Sequence, residues 1–220
     1  MKIENLDPKE SKGSILAQSY NLSDRKLSKG THVSKAIVEL LNRENVETIL
    51  CAVPHAGDMH EDTAAQAISN AIDRKQLYAE GASTGRVNFK TPELSIVRYN
   101  RELIKKINLV DESIAFSIVE HNQLLAKNDL IATLKIIPFF VSKIYVEQVV
   151  RLLSKNEIFK IHRLEEKKVD LIQTYYEWQK RSIFKATSNV TRSRLDALGC
   201  PLKKETLIPH DHKSLCSEIK

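Results

Sequence analysis

Long apolar runs are missing from this sequence. The most apolar stretch, "LLAKNDLIATLKIIPFFV" at 124–141, carries Lys135 and Pro138. It is also too short to cross a bilayer as a helix, which takes roughly 20 apolar residues. Aromatic residues are scarce at 6%, and no block of Lys and Arg is interleaved with them. The net charge of +6 and the pI of about 9.1 therefore admit an anionic ligand without the footprint of a nucleic-acid binder. Cysteine is scarce too. Cys51, Cys200 and Cys216 are odd in number and show no CxxC spacing. The amino terminus, "MKIENLDPKE", has no apolar segment of the signal-peptide kind. Together these features predict reduced thiols in a cytoplasmic protein. Nucleophilic catalysis lacks its signatures: no GxSxG is present, and no Cys stands beside a His in the chain.

What is present reads as alternating strands and helices. "GSILAQSY" at 13–20 predicts a short strand. Ser34 is placed to cap a helix over "KAIVELLNREN", with Ile37, Leu40 and Leu41 on one face. "ETILCAV" predicts a buried strand running into "PHAGD". A second helix is expected from Glu61 to Ile72, its two leading acids suiting the helix dipole. Asn100 caps "RELIKKI", and "SIAFSIVE" is expected to pair as a hairpin with Asp129–Ile137, a strand buried on both faces and ended by Pro138. Ser142 opens a helix to about Leu153, and "EIFKIHRL" is a strand. Then "KKVDLIQT", a helix over Thr187–Leu198 closed by Gly199, "LKKETLIP" and a helix after "PHD" give a β-α-β-α order. The fold class is α/β. A mixed α+β amino-terminal region precedes an incomplete doubly wound parallel-sheet domain, with units at 1–80, 81–160 and 165–220.

Three places invite chemistry. "HAGDMHED" brings two histidines and three acids together; it is either a metal site or an ordinary acidic first turn of a helix. "GASTGRVN" is either a glycine-rich loop whose amides, with Arg86, approach an anion, or a plain turn before a strand. It lacks the GK[ST] ending of a phosphate loop. Thr174 closes a strand of a parallel sheet, where ligands of such folds bind, and Lys185 supplies charge nearby. Asp211 reads either as a helix cap or as part of that site.

Several stretches resemble, in the same order, one family. "GSILAQSYNLSDRKLSKGTHVS", "GDMHEDTAA", "STGRVNF" and "LIATLKIIPFFV" are similar to the amino-terminal region of bacterial molybdopterin-binding proteins, relatives of molybdopterin molybdenumtransferase. "VDLIQT", "FKATSNVTRSRLDALG" and "IPHD" resemble the opening of that family's molybdopterin-binding α/β domain. The resemblance implies a role in molybdenum-cofactor biosynthesis, with molybdopterin or its adenylylated form as ligand and magnesium and molybdate as further groups. It implies that Thr174, Lys185, His210 and Asp211 form the first part of the pterin site. Arg86 and Asn88 match the family's TGRVN; Arg86 is expected to contact an anion, and Asn88 receives no role. The family's glycine-rich pterin loop and the acids after it are not found beyond "CSEIK". The chain therefore reads as a truncated or split form, inactive as a transferase by itself. The alternative is a non-catalytic scaffold module, whose open sheet edge takes a second copy or a completing partner chain.

Overall fold

The computed structural model describes residues 1–219. The chain begins with β1 (Lys2–Leu6), β2 (Ile15–Leu16), β3 (Tyr20–Asn21), β4 (Lys26–Leu27), α1 (Lys35–Arg43) and β5 (Ile49–Val53). β5 is the centre of a small sheet, with β1 and β2 antiparallel on either side. Its apolar residues Ile49, Cys51 and Ala52 are fully buried. The strand expected over Gly13–Tyr20 is split into β2 and the start of β3, which pairs with β4. Gly30, at φ +90°, turns the chain so that its N–H reaches the Leu16 carbonyl. Ser34 caps α1 by accepting the Ile37 N–H at 3.4 Å. Ile37, Leu40 and Leu41 then pack onto Leu16, Leu27 and Val33. Burial raises the Cys51 thiol above its ordinary value.

The next elements are β6 (Asp58–His60), α2 (Glu61–Asn70), β7 (Tyr78–Ala79), β8 (Arg86–Lys90), β9 (Ser95–Tyr99) and α3 (Arg101–Asn108). They are followed by β10 (Ile114–Ile118), β11 (Gln123–Leu125), β12 (Leu130–Ile136), β13 (Phe140–Ser142), α4 (Lys143–Ser154) and β14 (Phe159–Arg163). Asn100 caps α3 through the Leu103 N–H at 3.0 Å. β12 lies between β10 and β8, antiparallel to both, so the expected hairpin forms.

β12 is not buried on both faces, however. Ala132, Leu134 and Ile136 enter the core, while Thr133 and Lys135 face the other way beside Asn88 and Arg86. A bulge between Leu130 and Ala132 lets the consecutive residues Ile131 and Ala132 both be buried. The core under this sheet runs from Ala64 to Ile161, so α2 and the residues beyond position 80 share it. Phe89 sits within it, stacked on Phe116 at 5.9 Å and tilted against Phe159 at 6.2 Å.

The chain ends in β15 (Val169–Tyr175), α5 (Arg181–Ala197), β16 (Leu202–Pro209) and α6 (His212–Glu218). β15 and β16 are parallel. Gln173 of β15 donates to Ser188 of α5 at 2.9 Å, and Glu205 of β16 pairs with Arg192 of α5. Thr206 of β16 donates to Glu218 of α6 at 3.1 Å, and Lys204 pairs with the same carboxylate. Neighbouring strand positions point to opposite faces, so α5 and α6 cover opposite sides of the pair. α5 begins six residues before the predicted Thr187. Gly199, at φ +65°, ends it, and the Cys200 N–H bonds back to the Leu195 carbonyl at 2.9 Å. A Cβ at Gly199 would lie 2.7 Å from the Leu94 side chain, where this unit meets the body. The fold is thus mixed α/β. No helix among the described residues is long and apolar enough to cross a membrane.

Two outcomes follow from this packing. Phe89→Ala is expected to lower the unfolding free energy by about 3–5 kcal/mol, measured in urea. Asp58 is expected to govern part of the acid limb. Partial burial acts to raise its carboxyl. Bonds from the amino terminus at 2.8 Å and the His55 N–H at 2.9 Å nevertheless hold it below the ordinary 3.8. A depressed carboxyl stabilises fully above that value and loses its contribution as pH falls below it. Thermal melts from pH 5 downward should therefore fall less steeply for Asp58→Asn than for the wild type.

Candidate functional site

The carboxyl tips of β15 and β16 bring together three of the residues singled out in the sequence. Thr174 Oγ1 lies 2.8 Å from His210 Nδ1. The His210 N–H donates to the Tyr175 carbonyl at 2.9 Å, fixing the loop beside the strand end. Asp211 is the cap of α6, accepting the Ser214 N–H at 2.8 Å and the Ser214 hydroxyl at 2.7 Å. Those two bonds hold its carboxyl below the usual range. Lys185 is exposed in the second turn of α5.

Two further residues complete this end of the sheet. The Tyr176 ring lies 4.6 Å from the His210 ring and stacks on Trp178 at 5.8 Å with only 8° between planes. Trp178 is 80% exposed, so one aromatic face is open to solvent. The sequence held a signal for this pair: "YYEW" contains the chain's single Trp and follows Thr174 directly.

Arg86 and Asn88 are not part of this cluster. They lie on β8, in a different sheet. Asn88 belongs to a polar ladder, accepting from Thr133 at 3.0 Å and donating to Glu80 at 2.9 Å. Arg86 is exposed and closes a two-residue turn with Ser83, their backbones exchanging bonds of 3.0 and 3.1 Å. Thr84 at φ +50° and Gly85 at φ +70° occupy the turn, which is the type I′ pattern of a tight hairpin. The Gly85 N–H is taken by Asp62 at 2.6 Å. A Cβ at Gly85 would lie 2.7 Å from the Ile136 carbonyl, so only glycine fits. The "GASTGRVN" stretch thus holds a hairpin turn, and the Gly85 amide is already bonded within the protein.

"HAGDMHED" is less ordinary than an acidic first turn. His60 caps α2, its Nδ1 accepting the Asp62 N–H at 3.2 Å. Glu61 is only 7% exposed, and its Oε2 lies 3.3 Å from the Lys135 ammonium of β12. The same ammonium donates to the Thr84 carbonyl. No group of three or more His, Cys, Asp or Glu among the described residues is placed to hold a metal ion. One separation expected from the chain does not survive folding. Cys216 Sγ lies 3.6 Å from His212 Nε2, because residues four apart share a helix face.

No protein-family model, curated protein or solved structure matches this chain.

The turn residue Thr84 gives a direct test of this geometry. A β-branched side chain at positive φ is strained, and asparagine is favoured at that turn position. Thr84→Asn is expected to raise the unfolding free energy by about 1 kcal/mol in urea titration.

Proposed function

We propose that the chain binds molybdopterin, or its adenylylated form, as a component of molybdenum-cofactor biosynthesis. The observation that carries this reading is the Thr174–His210 contact at the carboxyl tips of two parallel strands, beside the stacked Tyr176 and Trp178 rings. Ligands of open parallel sheets sit at strand tips of this kind. A planar pterin suits an exposed aromatic face, and Lys185 offers charge to its phosphate. With α5 and α6 on opposite faces, the pair has the layout from which a doubly wound sheet extends. Thr174 and His210 would hold the ligand's polar edge. Asp211, engaged as a cap, would position the His210 loop.

A second reading, a non-catalytic interaction module, rests on a separate observation. Among the described residues, eight of the fifteen exposed large apolar side chains lie between Tyr176 and Ile219. Such a concentration of exposed apolar side chains on one small unit favours its association with a protein partner.

Anaerobic equilibrium dialysis of the purified chain against molybdopterin decides between them. Wild type is expected to bind, and Thr174→Val and Lys185→Ala are each expected to weaken binding about tenfold, or 1.4 kcal/mol. Arg86→Ala, on the other sheet, should leave affinity unchanged. Absence of binding by the wild type, or wild-type affinity in both tip variants, rejects the pterin reading and leaves the interaction module.

A further inference from the structure

A groove of about 780 Å³ lies away from the strand tips, where the amino-terminal sheet meets the larger body. Besides Met1 and Ile3, four separated stretches line it: 29–32, 60–62, 83–84 and 135–139. Each belongs to a segment that stood out in the sequence, and none is used by the strand-tip site.

The floor of the groove carries a carboxylate and an ammonium that stability alone does not explain. Glu61 is nearly buried, and Lys135, at 29% side-chain exposure, comes from the end of the central strand, next to its final residue Ile136. Apolar side chains of similar volume commonly serve a core as well as such a pair or better. The pair also leans on Thr84, a β-branched residue held at φ +50°. Strain of this kind collects where a site must be held in shape.

The lining carries two ammonium side chains and two carboxylates, and one oxygen of each carboxylate is engaged: Glu61 Oε2 holds Lys135, and Asp62 Oδ1 holds the Gly85 N–H. Its donors are not exhausted. Lys135 has three protons, two of which reach Glu61 and Thr84. Because the His60 Nδ1 accepts a backbone N–H, the neutral ring carries its proton on Nε2. The His32 ring stands 4.8 Å from it. Lys29 lies 5.6 Å over the Phe139 ring, at the wall. That wall continues through Pro138 and the exposed Ile137.

We propose that this groove binds a small organic anion: a carboxylate or phosphate head on a flat apolar body. The head meets Lys29, Lys135 and the His60 Nε2–H, and the body lies on Phe139 and its neighbours. This inference does not depend on pterin binding at the strand tips.

Amide NMR titrations of the full chain test it, with phenyl phosphate, benzoate and inorganic phosphate as probes at up to ~10 mM, the range of weak affinities. Phenyl phosphate, benzoate or both are expected to shift the amides of residues 29–32, 60–62 and 83–84; which of them does so identifies the preferred head. Inorganic phosphate is expected to bind at least about tenfold more weakly. Lys29→Ala, an exposed substitution, should weaken the response about fivefold. The paired variant Glu61→Gln/Lys135→Met replaces both charges together, so no lone charge is left buried, and it should abolish the response. If that variant does not fold, Lys29→Ala decides alone. The proposal is overturned if neither organic probe shifts these amides, if inorganic phosphate binds as well as they do, or if a folded variant keeps wild-type affinity.

Discussion

The ammonium of Lys135 is the joint on which the larger body turns. It rises from the central strand β12 and meets the Glu61 carboxylate at the start of α2 and the Thr84 carbonyl in the hairpin turn. Three segments distant in sequence are fastened at one nitrogen. Removing one partner of a buried pair costs about 3–5 kcal/mol, and the partial exposure of Lys135 places this pair toward the lower end. Gly85 must be glycine for the same reason, since the turn is pressed against Glu61 and the Ile136 carbonyl. Helix, turn and strand therefore constrain one another, and the groove inherits its shape from all three.

The two candidate sites differ in how they are built. The groove is set into a body whose core is continuous from Ala64 to Ile161, so its walls are backed by packed side chains. The strand tips belong to a unit of two strands and two helices with few fully buried residues, and their side chains are open to solvent. Rigid support favours selectivity in the first. The second offers an aromatic face and a polar strand end, and its apolar surroundings invite a covering partner.

How much of this was legible follows from the distance over which each feature is determined. Ser34, Asn100 and Asp211 announce their helices because a cap is settled within three residues. The start of α5 was hidden because Lys180 offers no capping side chain, leaving only a weak apolar period before Thr187. β1 leaves no local signal, because "KIENL" is a half-exposed edge strand without an apolar signature. The polar face of β12 is visible in the alternation of Thr133 and Lys135, but the apolar run around them reads as burial on both sides. Thr174 and His210 meet as a parallel β-α-β order implies, since both stand at strand ends. The Lys135–Glu61 pair spans 74 positions and is fixed by tertiary packing alone, so no local pattern announces it.

The burial of Cys51 has a consequence for the chemistry of the folded chain. Its sulfur is sealed in the core formed with Leu16, Leu27, Val33 and Leu41, with no exposed surface, and its proton is held more tightly than in water. A thiol reagent meets it only in molecules where that core has opened, whereas Cys216 is exposed in the native state. The ratio of the two labelling rates thus meters how often the amino-terminal core opens, and the chain carries that meter without any added probe.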